Sequence, residues 1–530
     1  MRIDDEQPDE LEQQQQQPTL PLLYLPIELA EEISSYFESW TAAKLLRVNR
    51  SFHSLFLPRV WVRLNGLTVL KGDEARRSML EKYGHFIRSI SLSSYTMSEL
   101  KFNWQPFVKR ATHLNATIDN RFTANGVEML MKLIKQSKML RTLSLHFDKY
   151  DTPVMFSELA AAINELEYLE RITCEFGKIF DTNEDGSDWK RAVSFVDLLH
   201  PTKRSKLRLK MKFSRVPNET GVRALAPYIV KLKAYGRRVC TVQLADVFFD
   251  VMDDNGQQLV FPHLKELSMK SCCFSREYSG LKSITASRFP QLQFLYFYAD
   301  PCAVLGRVDP NRNVHETYNW KPEYSGYPHI SIPSHRWQYL TNLIIGIVSS
   351  SILMDIIGFN PRLQQLRVGS IYSNVPKEND ASKYNHDEFH LDTILYRLPR
   401  LVDFWIELLN SRIIVDPVAI PVPRRYEMKI TIGCQMSVAP SAAVYILQMP
   451  QLQILTFYEC VFVDIDKIIR LLQSSSTASG VKWFTWNPIV WHQELALTMT
   501  NKMPQLVRFM AQKCPEEHRA IFEAKCQSNR

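Results

Sequence analysis

A unit of the form apolar-x-x-apolar-x-apolar recurs along this chain. It is seen at Ile87/Ile90/Leu92, Leu140/Leu143/Leu145, Val239/Val242/Leu244, Leu264/Leu267/Met269, Leu292/Leu295/Phe297, Leu340/Leu343/Ile345, Leu363/Leu366/Val368, Leu401/Phe404/Ile406, Leu452/Leu455/Phe457 and Val481/Phe484/Trp486, with a variant at Leu166/Leu169/Ile172. Alternation of this kind predicts a half-buried strand. Between the units the apolar period changes to that of a helix, as in Asn125–Gln136 (Val127, Leu130, Met131, Ile134) and Asp464–Leu472 (Ile465, Ile468, Ile469, Leu472). Successive starts lie about 25 to 28 residues apart, as from Leu140 to Leu166, which is the period of a stacked strand-helix coil.

Five units share a proline turn: Phe261-Pro262-His263-Leu264, Phe289-Pro290-Gln291-Leu292, Asn360-Pro361-Arg362-Leu363, Leu398-Pro399-Arg400-Leu401 and Met449-Pro450-Gln451-Leu452. Proline ends the preceding helix and fixes an extended approach to the next strand. The expected fold class is therefore α/β, a solenoid with parallel strands on the concave face and helices on the convex face. The array resembles divergent leucine-rich repeats, although it lacks their regular Asn ladder, so irregular coils are expected. The long gaps from Leu166 to Val239 and from Leu292 to Leu340 each hold an insertion or a further coil. Residues 307–334, 370–388 and 416–425 read as loops.

Residues 25–61 differ in kind. Leu29, Ile33, Tyr36 and Phe37, then Leu45, Leu46 and Val48, fall at helical spacing, and three short helices fit between Pro26, Thr41 and Pro58. The first runs to about Glu38, Thr41 caps the second, and the third covers Arg50–Leu57 and stops before Pro58. Leu25-Pro26-x-Glu28-Leu29, Ile33, Leu45-x-x-Val48-Asn49-Arg50-x-Phe52, Leu55 and Trp61 together resemble an F-box. Phe52 stands where that family most often has Trp, and the change keeps a large aromatic payload. The resemblance covers about a tenth of the chain. It implies docking to the Skp-type adaptor, and through it to the cullin and RING subunits, of an SCF ubiquitin ligase. Leu25, Pro26, Leu29, Ile33, Leu45 and Val48 would be the adaptor-binding residues. A helical lid closing the first coil is the structural alternative.

The expected organisation is a disordered Gln-rich tail at 1–19, the F-box at 20–66, the repeat array at 67–515 and a C-terminal tail at 516–530. The first residues are acidic and Gln-rich without the apolar stretch of a signal peptide, and Leu340–Phe359 is broken by polar residues, so no membrane span is expected. Nine cysteines without CxxC spacing fit a reducing cytoplasmic or nuclear setting. A formal charge of +8 over 530 residues does not by itself point to nucleic acid.

Candidate chemistry is sparse. In His386-Asp387-Glu388-Phe389-His390, Asp387 occupies the position where the zincin helix needs Glu, and no third ligand is evident, so no metal site is assigned. Seventeen glycines leave little room for phosphate-cradling loops, Cys272-Cys273 lacks a partner histidine, and Asp253-Asp254-Asn255-Gly256 is a turn signal. No catalytic residue and no cofactor are expected. The informative charged run is Lys206-Leu207-Arg208-Leu209-Lys210-Met211-Lys212-Phe213, which places Lys206, Arg208, Lys210 and Lys212 on one face of a strand. Such a row either stays solvated or attracts an acidic or phosphorylated target segment. It lacks interleaved aromatics for stacking bases. The resemblance implies a substrate receptor for ubiquitination, with a non-proteolytic F-box and repeat scaffold as the alternative.

Overall fold

The computed structural model describes residues 32, 36–37, 39–48, 50–65, 78, 81–93, 108–118, 124–147, 156–177, 187–213, 219–235, 251–272, 284–299, 336–345, 350–369, 388–407, 411–433, 436–512 and 514–529. The 1–19 tail, the helix expected up to Glu38, the unit at Val239–Leu244, the 307–334 loop and residues 370–387 lie outside them, apart from Glu32, Tyr36 and Phe37. The chain divides into two compact units, residues 1–146 with 152–172, and residues 147–151 with 173–530.

In the first unit, helices Ser39–Leu45 and Arg50–Trp61 close around Ala42, Phe52 and Phe56, with Phe37, Leu45, Leu46, Leu55 and Val60 packed against them. The Phe37 and Phe56 rings meet edge to face at 5.5 Å. The second helix does not stop before Pro58; it continues to Trp61. Proline forfeits one helical N–H there, but contacts beyond it compensate. Val60 joins the core, Arg59 Nε donates to Phe37 O at 2.9 Å, and Trp61 lies 5.4 Å from Tyr83. Strand Arg63–Asn65 follows directly and pairs in parallel with Ser89–Ser93, so the first coil begins inside the stretch expected to be F-box alone. Strand His113–Ile118 pairs next, with Leu114, Ala116 and Ile118 buried. The helix Ala124–Gln136 falls where its period placed it.

The second unit holds a parallel sheet. Its strands follow chain order as Leu207–Phe213, Ile229–Tyr235, Glu266–Cys272, Phe294–Ala299, Asn342–Ile345, Gln365–Gly369, Asp403–Glu407, Met428–Gly433, Leu452–Tyr458, Trp483–Asn487 and Arg508–Met510. The gap after Leu166 therefore holds further coils, at Leu207–Phe213 and Ile229–Tyr235. Helices Glu219–Leu225, Ser350–Phe359, Leu391–Arg397, Pro440–Leu447, Ile465–Ser474 and Gln493–Asn501 alternate with the strands. A smaller parallel sheet of Glu388–His390, Arg412–Ile414, Ser437–Val438 and Val461–Phe462 adds a second short strand to four coils.

Register makes the core continuous. Leu232, Leu267, Leu295, Leu343, Leu366, Phe404, Ile430, Leu455 and Phe484 stand opposite one another on successive strands, and all are buried. Many coils are pinned where the strand begins. Gln293 and Phe294 both donate backbone N–H groups to Lys265 O, at 2.9 and 3.0 Å, and Gln364 and Gln365 do the same to Thr341 O, at 2.7 and 3.0 Å. Two donors on one carbonyl use both of its lone pairs. Isolated asparagines reinforce the stack: buried Asn360 accepts from Trp337 N at 3.0 Å, and Asn487 Oδ1 accepts from Gln512 N at 2.6 Å.

Residues 416–425 form a loop, as expected, held by Arg424. Its guanidinium donates to Leu401 O at 3.0 Å, to Leu398 O at 3.1 Å and to Leu395 O, so it satisfies carbonyls at the end of helix Leu391–Arg397. Where a tail was expected, Glu516–Ser528 is a helix. Phe522 stacks on Phe509 at 4.1 Å, and Lys525 Nζ donates to Thr500 O at 2.6 Å. This helix covers the apolar end of the stack, which would otherwise face water.

Leu366→Ala, in the middle of the buried row, is expected to destabilise the second unit by about 2–5 kcal/mol, whereas outward-facing Thr456→Ala changes stability by about 0.5 kcal/mol or less. Urea unfolding followed by tryptophan fluorescence checks this; equal costs would contradict the assignment of faces.

Candidate functional site

Two surfaces stand out, one in each unit. In the first unit, the helical module leaves Val48 54% exposed and Tyr36 80% exposed. Of the residues expected to meet an adaptor, Leu25, Pro26, Leu29 and Ile33 lie outside the described residues. Leu45 is half-buried in the module's own core, because Phe52 and Phe56 need apolar cover, while Val48 faces out. Phe52 and Leu55 also pack within the module, leaving Trp61 to meet Tyr83.

In the second unit, the outward positions of the parallel strands form two rows. One runs Lys210, Lys231, Glu266, Phe294, Asn342, Gln365, Asp403, Lys429, Ile454, Trp483, Arg508. The other runs Lys212, Lys233, Ser268, Tyr296, Ile344, Arg367, Trp405, Thr431, Thr456, Thr485, Met510, with Thr431 buried. Strand Leu207–Phe213 buries Leu207, Leu209 and Met211, so Arg208, Lys210 and Lys212 share the outward face. Lys206 precedes this strand in a turn, its N–H bonded to Lys203 O at 3.1 Å.

The sequence reading missed half of this cluster. Strand Ile229–Tyr235 brings Lys231 beside Lys210 and Lys233 beside Lys212. The Lys-x-Lys alternation at 231–233 was the available signal, but small Ala234 breaks the apolar pattern around it. Two carboxylates flank the group: Glu175 takes Lys212 at 2.6 Å, and Glu266 takes Lys231. Among the described residues, Lys210 and Lys233 have no ion-pair partner. Burial, then the neighbouring Lys231 and Lys212, hold the Lys233 ammonium below the ordinary lysine range, partly offset by Glu266 and Glu175. His263 at the sheet margin is likewise held down by burial, then by Arg208 and Lys265.

Further along the same face the basic side chains lie against a carboxylate or an aromatic ring. Arg367 Nη2 pairs with Asp403 Oδ2 at 2.9 Å and lies 4.8 Å over the Trp405 ring, with Lys429 at 5.8 Å from that ring. Arg508 lies 5.8 Å from Trp483. The cationic character therefore concentrates at the strands Leu207–Phe213 and Ile229–Tyr235. His390 immediately precedes helix Leu391–Arg397 with Phe389 buried beside it, while His386 and Asp387 lie outside the described residues. Among the described residues, no group of three His, Cys, Asp or Glu side chains could hold a metal ion, and no helix is long and apolar enough to cross a membrane.

Comparison with known proteins adds little. No protein-family model matches the chain, and no curated protein matches it. A solved structure described as the crystal structure of the Rad7 and Elc1 complex in yeast matches with 11% identity, over 87% of this chain and 86% of that one, at a TM-score of 0.32. A likeness this weak bears no weight for function.

Lys233→Met is expected to raise the melting temperature at pH 7. A lysine whose folded pKa is depressed costs stability below that pKa, and the cost disappears as pH rises through it toward the unfolded value, because the unfolded state then holds more protons. The gain should therefore shrink at alkaline pH. A melting temperature that falls at pH 7, or a gain independent of pH, would contradict the repulsive cluster.

Proposed function

We propose that this chain is a substrate receptor of an SCF-type ubiquitin ligase. Its F-box would bind a Skp-type adaptor, and its repeat sheet would bind the target protein. The observation that carries this reading is the ordered pattern from Leu25-Pro26 through Leu45, Val48, Phe52 and Trp61, followed at once by parallel repeat coils. A small helical module with its own aromatic core and an outward Val48 suits a docking handle, since apolar surface left exposed by so short a segment favours a partner. The sheet supports the other half of the reading. Outward side chains of consecutive strands make a continuous surface on which a protein segment can lie, and Arg208, Lys210 and Lys212 would contribute to it, while Lys206 lies in the turn that precedes the strand.

On this reading the chain performs no bond chemistry and needs no cofactor. It raises the effective concentration of a target lysine near the conjugating enzyme carried on the cullin and RING subunits. It would work in the cytoplasm or nucleus.

Leu29→Asp is expected to abolish recovery of the Skp-type adaptor when the tagged chain is purified from cells, while its circular dichroism and melting temperature stay close to those of the parent. Unchanged adaptor recovery would remove the F-box assignment. Loss of folding would show that the module serves as a lid on the first coil.

A further inference from the structure

The cationic cluster on strands Leu207–Phe213 and Ile229–Tyr235 has an uneven distribution of partners. Four lysines occupy adjacent register positions, Lys210 beside Lys231 and Lys212 beside Lys233. Parallel strands lie about 4.8 Å apart, and diagonal neighbours have Cβ atoms roughly 7–8 Å apart. The two carboxylates act from outside this square. Glu175 draws Lys212 from one flank, and Glu266 draws Lys231 from the other. What remains is the diagonal, Lys210 and Lys233, without an ion-pair partner among the described residues. Ser268 stands beside Lys233 on the next strand, its side chain half-exposed on the same face.

The geometry points to a binding site for a phosphomonoester carried on an extended protein segment, with Lys210 and Lys233 on opposite sides of the phosphate. A tetrahedral dianion with three acceptor oxygens can meet two ammonium groups across such a diagonal and match both of their charges. A single carboxylate brings one charge against two cations, so it leaves half of their charge unmatched. The flanking Glu175 and Glu266 hold Lys212 and Lys231 and repel an anion on either side, so they confine it to the centre of the cluster. The rest of the face argues for a protein ligand. Beyond Ser268 the same rows continue through Phe294, Tyr296, Asn342 and Ile344, a mixed apolar and amide surface suited to side chains flanking the phosphorylated residue.

This inference rests on the receptor reading only for the identity of the phosphate carrier, so its test leaves the adaptor out. The full-length chain is titrated with a degenerate fluorescent phosphothreonine peptide pool, with the same pool unphosphorylated, and with the pool carrying Glu in place of phosphothreonine. Fluorescence anisotropy is expected to show saturable binding of the phosphorylated pool alone. Lys210→Met and Lys233→Met should each weaken it roughly tenfold, and Lys467→Met on the exposed face of helix Ile465–Ser474 should leave it unchanged. Circular dichroism of each variant controls for folding. No binding of the phosphorylated pool, equal binding of the Glu pool, an equal loss in Lys467→Met, or tighter binding of single-stranded RNA than of the phosphorylated pool would each overturn the proposal. Phosphopeptide binding by a chain that fails to recover the adaptor would sink the receptor reading and leave this site standing.

Discussion

Paired hydrogen bonds at the start of many of the strands are the constraint from which the rest of the structure follows. Two consecutive N–H groups of one coil converge on a single carbonyl of the coil before it. The pattern holds in the first unit, where Arg88 and Ser89 meet Val62 O, and in the second, where Val402 and Asp403 meet Gln364 O. A slip of one residue would turn every buried Leu, Ile and Phe of a strand outward, so this backbone clamp and the apolar row enforce the same register. With register fixed, the outward residues fall into rows whose composition is set by sequence alone.

One stretch of those rows is electrostatically costly. Four lysines share neighbouring positions, and only two carboxylates answer them. Elsewhere on the face the chain solves the same problem locally, pairing Arg367 with Asp403 and laying Arg367 and Lys429 against Trp405. On strands Leu207–Phe213 and Ile229–Tyr235, by contrast, Lys210 and Lys233 have no ion-pair partner among the described residues. The N-terminal module shows the complementary economy. Its few apolar residues are largely consumed in packing around Phe52 and Phe56, so Leu45 serves the core while Val48 faces out.

Much of this architecture was legible in the sequence because alternation and proline turns are local signals. Leu264, Leu292, Leu363, Leu401 and Leu452, each after a proline, begin coils that the structure contains. Strands His113–Ile118 and Ile229–Tyr235 were missed because Ala116 and Ala234 occupy inward positions where a larger residue would announce the pattern. Met428–Gly433 was missed because the 416–425 loop, rather than a proline turn, leads into it. The run through Pro58 and the ordering of Glu516–Ser528 depend on contacts with Tyr83, Phe37 and Phe509, which no local pattern encodes. For the candidate site, one strand of the cationic cluster was visible as strict alternation. Its partner strand was not, since the pairing of Lys210 with Lys231 exists only once register is known.

On the proposed reading labour is divided, with the helical module holding an adaptor and the cationic strands holding a target segment. Hydrogen–deuterium exchange of the full chain tests it most directly, measured alone, with a purified Skp-type adaptor, and with the phosphorylated peptide pool. The account predicts that the adaptor protects peptides from residues 25–61 and leaves 207–235 unchanged, while the phosphorylated pool does the reverse. Protection of both regions by one ligand, or of neither by the adaptor, would contradict it.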